Sequence, residues 1–96
     1  MTDATESSAV RDNADRHRFE LVEEGLTAIA DYRRQDDTLL ITHVESPPPL
    51  RGKGTAGRLM TGVLQAARRD GLKVVPLCGY AAAFMRRHPE HKDLLG

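Results

Sequence analysis

Near the middle of the chain stand three consecutive prolines, Ser46-Pro47-Pro48-Pro49. Three successive residues without an N–H cannot sit in a β-ladder, so any sheet that precedes them has to stop there. The segments before the triplet read as strands. Residues 17–22 alternate polar and apolar, Glu24-Gly25 turns the chain, and residues 26–33 alternate again with Leu26, Ala28, Ala30 and Tyr32 in one phase. Arg34–Asp37 makes a second turn. Residues 38–45 (TLLITHVE) carry the β-branched and aliphatic side chains of a third, more buried strand. Tight turns between them predict an antiparallel three-strand meander.

Beyond the triplet the period changes. From Thr55 to Asp70 the apolar residues Ala56, Leu59, Met60, Val63, Leu64, Ala66 and Ala67 recur at three-and-four spacing, one face of a helix. Gly71 suits its C-cap, and Arg68 and Arg69 lie in the last turn, where the dipole favours cations. Leu72–Cys78 reads as a fourth strand, with Pro76 predicting that pairing fails or splays beside it. Strand, helix, strand demands a right-handed parallel crossover. Tyr80–Arg87 is a short helix stopped by Pro89. The expected class is α+β: the meander, a helix, a fourth parallel strand and a short C-terminal helix.

At 96 residues there is room for one domain. Residues 1–15 hold only Met1 and Val10 as apolar side chains beyond alanine and carry a net charge of −3, so they read as a disordered acidic leader before a single domain over 16–96. They lack the basic start and apolar run of a signal peptide. The 14 basic residues balance 14 acidic ones, leaving +3 on residues 16–96. No overall charge excess points to nucleic acid or a membrane surface. Four aromatics and no Trp leave little for stacking bases, which makes an RNA-binding domain the weakest reading. A lone cysteine, Cys78, permits neither an internal disulfide nor a multi-cysteine zinc cage, and suggests a reducing cytoplasm. His88 and His91 have a metal-compatible spacing, but Pro89 interrupts their helix and no third ligand stands nearby, so no metal is expected.

The chemistry concentrates at Arg51-Gly52-Lys53-Gly54-Thr55-Ala56-Gly57-Arg58, between a strand and a helix. Glycines at a helix entry let successive N–H groups point at one spot, and Arg51, Lys53 and Arg58 add charge, which makes an anion site suited to a pyrophosphate. A glycine turn kept soluble by basic residues is the plain alternative. Gly52-x-Gly54-x-x-Gly57 matches the dinucleotide fingerprint literally. However, about 20 residues on stand Leu77-Cys78 and no ribose-binding acid, and no P-loop occurs.

The run HVESPPPLRGKGTAGRLM resembles the acetyl-CoA pyrophosphate motif of the GNAT superfamily of N-acetyltransferases, Arg/Gln-x-x-Gly-x-Gly/Ala after a strand, with Arg51, Gly54 and Ala56 in its positions. The continuation GLKVVPLCGYAAAFMRRHPEHKDLL is similar to the small single-domain branch, in which a strand ends in Pro-x-Cys and a last helix in His-Pro-Glu. The resemblance covers roughly residues 19–95. It implies acetyl-CoA as co-substrate, Arg51–Arg58 around its pyrophosphate and the fourth strand beside the pantetheine arm. A cysteine at the Cys78 position is a proposed acetyl carrier in that branch.

Residue by residue, Cys78 ends a strand ahead of a helix, where a thiolate is favoured and could take the acetyl group. It could equally be a small apolar filler. His43 and Glu45 lie two apart on the third strand and share a face, so either could deprotonate an acceptor amine, Glu45 only with a raised pKa. They could also be a plain polar pair. Tyr80 either protonates the departing CoA sulfur or anchors the last helix. The leading expectation is an acetyl-CoA-dependent N-acetyltransferase acting on an amine of a small molecule or protein. The alternative is a non-catalytic acyl-CoA-binding or protein-interaction module.

Overall fold

The computed structural model describes residues 9–96. Five strands form one sheet in sequence order: β1 (Arg11–Asn13), β2 (Arg18–Glu23), β3 (Leu26–Gln35), β4 (Thr38–Glu45) and β5 (Lys73–Pro76). The first four are antiparallel, and β5 runs parallel to β4 after a crossover through helix α1 (Thr55–Arg69). Helix α2 (Gly79–Arg87) and a 3-10 segment, Pro89–Leu94, complete the chain.

Alternation decides which face is covered. Phe19, Leu21, Ala28, Ala30, Tyr32, Leu39, Ile41 and Val74 point to one side, where they bury Leu59, Met60, Val63, Leu64 and Ala67 of α1 and Ala81, Phe84 and Met85 of α2. Both helices share this core, because the Phe84 ring packs beside Gly57. The other sheet face stays open, with Arg33, Thr42, His43 and Glu45 exposed. Helix α1 ends in a Schellman motif: Gly71 has φ +70°, its N–H bonds to Arg68 O, and Leu72 N–H bonds to Ala67 O at 2.8 Å. Between β2 and β3, Glu24 and Gly25 both take positive φ, the backbone of a tight type I′ hairpin turn.

Order extends further toward the N-terminus than composition predicts. Residues 11–15, read as leader, form β1 and, together with Arg16, a 3-10 turn over Ala14–Arg16. Tyr32 Oη donates to Asp12 Oδ1 at 2.6 Å, and Val10 packs onto the core at Gly62. The rest of the leader assignment, residues 1–8, lies outside the described residues. Among the described residues no helix is long and apolar enough to cross a membrane.

Candidate active site

Two local events on β4 shape the site. Ile41 pairs with Tyr32 while His43 pairs with Asp31, so Thr42 is an extra residue, a β-bulge. The bulge shifts the alternation by one. Without it His43 and Glu45 would continue the inward phase of Leu39 and Ile41; with it Val44, opposite buried Ala30, turns inward and His43 and Glu45 turn out onto the open face. The second event is the end of the β4–β5 ladder at Ile41 and Pro76. Pro76 has no N–H, and the next two N–H groups, of Leu77 and Cys78, both reach back to Ile41 O at 2.9 and 3.3 Å. Past that point β4 runs on to Glu45 with its β5 side unpaired, as Pro76 predicts.

The proline triplet enters a single 3-10 turn, Pro48–Leu50, whose buried Leu50 anchors the glycine run. Gly52 (φ +81°) and Gly54 (φ +82°) both need the left-handed region, and Gly54 caps α1 without any side-chain acceptor. The first N–H groups of α1 therefore face outward with the positive end of its dipole. They border a cavity of about 330 Å³ walled by Arg51, Gly52, Gly54, Thr55, Ala56 and Gly57. Val44, Ser46 and Leu50 close its strand side, and Tyr80 reaches in from α2. Ser46 Oγ is buried in that wall with no hydrogen-bond partner, an unmet polar group suited to a polar ligand.

Seven of the residues expected to bind cofactor thus meet around one cavity. Lys53 and Arg58 do not line it. Lys53 Nζ donates to Glu24 at 3.0 Å, and Arg58 forks onto Glu23 at 2.7 and 2.8 Å. Thr55, almost fully buried, donates its hydroxyl to the same Glu23 at 2.6 Å. The Arg58 hydrogen bonds, then that of Thr55, hold the Glu23 carboxyl down at about 2. Spacing could not reveal this brace, since Glu23 and Arg58 are far apart in sequence. The lone sign was acidic residues at the first hairpin turn. Arg51, by contrast, has no ion pair among the described residues, and its Nε donates to Ser46 O at 3.0 Å.

The chemical candidates fall on separate faces. His43 Nε2 and Glu45 Oε1 are 3.0 Å apart on the open face, with side chains 54% and 57% exposed. The hydrogen bond from His43 lowers the Glu45 pKa, opposite to the rise a general base there needs. Cys78 caps α2: its half-buried Sγ accepts from Ala81 N–H at 3.4 Å, and it lies outside the cavity wall. Burial raises the Tyr80 pKa. His88 stacks on Phe84 and faces Glu90, and no cluster of three or more His, Cys, Asp or Glu able to hold a metal occurs among the described residues.

The family model described as GCN5-related N-acetyl-transferase matches residues 18–94. In fold the chain is similar to the solution NMR structure of a GCN5-like protein from Staphylococcus aureus. The TM-score is 0.66 at 19% identity, over 91% of this chain and 86% of that one. Comparison with curated proteins gives no match.

Proposed function

The chain belongs to the GCN5-related N-acetyltransferase family, and from that premise we propose that it transfers acetyl from acetyl-CoA to a primary amine. The observation that carries this reading is the cavity where the free N–H groups of α1 meet the unpaired edge of β4. Backbone N–H groups of Gly52 and of Gly54 to Gly57, with the Arg51 guanidinium, would take the pyrophosphate, while the Lys53 N–H is held by Leu50 O. Unpaired groups of β4 would accept the amides of the pantetheine arm, which brings the thioester to the gap past Ile41. Lys53 and Arg58, tied to Glu24 and Glu23, hold the loop in shape.

His43, with Nε2 directed at Glu45, leaves Nδ1 to take a proton from the acceptor ammonium. The freed amine attacks the thioester carbon, the C–N bond forms, the C–S bond breaks, Tyr80 protonates the leaving sulfur, and the second proton shed by the nitrogen as the amide forms restores the Tyr80 hydroxyl. A second route passes the acetyl group first to the thiol of Cys78, whose backbone N–H bonds to Ile41 O where the gap begins. It predicts a protein heavier by one acetyl group after incubation with acetyl-CoA alone.

Calorimetric titration with acetyl-CoA, with NAD as control, tests the reading. Binding in the micromolar range, about −8 kcal/mol, is expected for acetyl-CoA alone. It should vanish in Gly54→Val, where a β-branched side chain enters a left-handed backbone position. No binding to either ligand would leave a glycine turn and favour a protein-interaction module. Binding without turnover of any amine would favour an acyl-CoA-binding module.

A further inference from the structure

The open sheet face carries a second recess, about 630 Å³, walled by Arg16, Arg18, Arg33 and Arg34 with Asp31 as its one carboxylate. Its charge is poorly matched. Lys53, Arg58, Arg68 and Arg69 each meet a carboxylate within 3.2 Å. Arg16, Arg33 and Arg34 meet none among the described residues, and Arg34 Nε reaches only the Asp36 carbonyl, at 3.5 Å. Arg18 has Asp31 at 3.4 Å, but its Nε is buried without a hydrogen-bond partner. Guanidinium groups left this way favour an anionic partner.

The recess lies on the same side as the proton acceptor. Asp31 in its floor is the cross-strand partner of His43, and Thr42 in its wall is the bulge residue just past the end of the β4–β5 ladder. Strands lie about 4.8 Å apart, so the arginines of β3 and β2 stand roughly 5–10 Å from β4. An extended peptide covers about 3.3 Å per residue, so a side chain two or three positions from an amine at the gap reaches the recess. The cations are spread over a turn and two strands, with no helix N-terminus or glycine turn converging on one point. That spacing matches separate carboxylates better than one phosphate.

We propose that the acceptor is a peptide amine flanked by acidic side chains, which lie in this arginine recess while the amine meets His43. The proposal rests on the acetyl-transfer reading. Its test uses the full chain and three peptides of equal length, each with one acceptor lysine, flanked by Glu, Gln or Lys. Binding is read by fluorescence anisotropy and transfer by release of CoA thiol. The Glu peptide should bind and react about tenfold better than the Gln peptide, with the preference largely lost at about 0.5 M salt. Arg16→Gln with Arg33→Gln should abolish the preference and leave acetyl-CoA binding unchanged. Equal binding of the three peptides, a preference that survives in the double variant, or tighter binding of a single-stranded oligonucleotide would overturn it. Failure to bind acetyl-CoA would instead overturn the transfer reading, and the anisotropy arm would still decide the surface.

Discussion

Glu23 holds the glycine loop from a distance, and its ionisation gives it a measurable signature. Its carboxyl sits at about 2 against an ordinary 4.5, because Arg58 and Thr55 donate to the charged form. A pKa lowered by folding stabilises the native state fully above the unfolded value, and that contribution is lost as pH falls through the folded one. Melting temperature should therefore drop more steeply between about pH 5 and 2 in the wild type than in Glu23→Gln. At neutral pH the variant should be about 1–2 kcal/mol less stable. Parallel pH profiles would show that Glu23 braces nothing. Cys78 offers a second residue-scale separation. Because its Sγ caps α2, Cys78→Ser keeps an acceptor for Ala81 N–H, whereas Cys78→Ala loses one at a cost of about 1 kcal/mol. If acetyl passes through sulfur, both variants lose transfer although only the alanine variant melts lower. If the amine attacks directly, the serine variant retains full activity.

At the scale of elements, most of the architecture is legible in local pattern, and the exceptions have physical causes. The meander strands, α1, its glycine stop and the break at Pro76 follow from alternation, helix period and missing N–H groups. Nothing in Thr38–Glu45 marks Thr42 as the extra residue, because a bulge is decided by pairing with β3. The orientation of His43 and Glu45, and with it their separation from the glycine loop, was therefore not readable. β1 was missed for a related reason. Its three residues are polar, and what holds them is tertiary: the bond from Tyr32 to Asp12 and the seat of Val10 on Gly62. A Cβ at position 62 would collide with the Val10 side chain. In Gly62→Ala, α1 gains about 1 kcal/mol of helix propensity while β1 is pushed off its seat. Hydrogen exchange should show the Arg11–Asn13 amides losing protection with the melting temperature nearly unchanged. Retained protection at those amides would mean that Val10 does not hold the strand.

For the molecule as a whole, the cavity lies where the two halves of the chain meet. Val44 and Ser46 end the meander half, whereas Thr55–Gly57 and Tyr80 belong to the crossover half. A ligand held there touches both, so it cannot bind unless both are folded and in register. Binding then acts directly on the global unfolding equilibrium rather than on one loop. At a ligand concentration about 100 times Kd the gain is roughly 2.7 kcal/mol. In a domain of this size each kcal/mol moves the midpoint by about 4–8 °C, so acetyl-CoA should raise the melting temperature by roughly 10–20 °C. The shift should scale with the logarithm of concentration and be absent with NAD. Gly54→Val should lose the shift at the same ligand concentration, and Arg16→Gln with Arg33→Gln should keep it, because the recess lies on the opposite face of the sheet. Stabilisation confined to a few local amides, with no movement of the melting midpoint, would mean that the ligand touches only the glycine loop and that the two halves do not share the site.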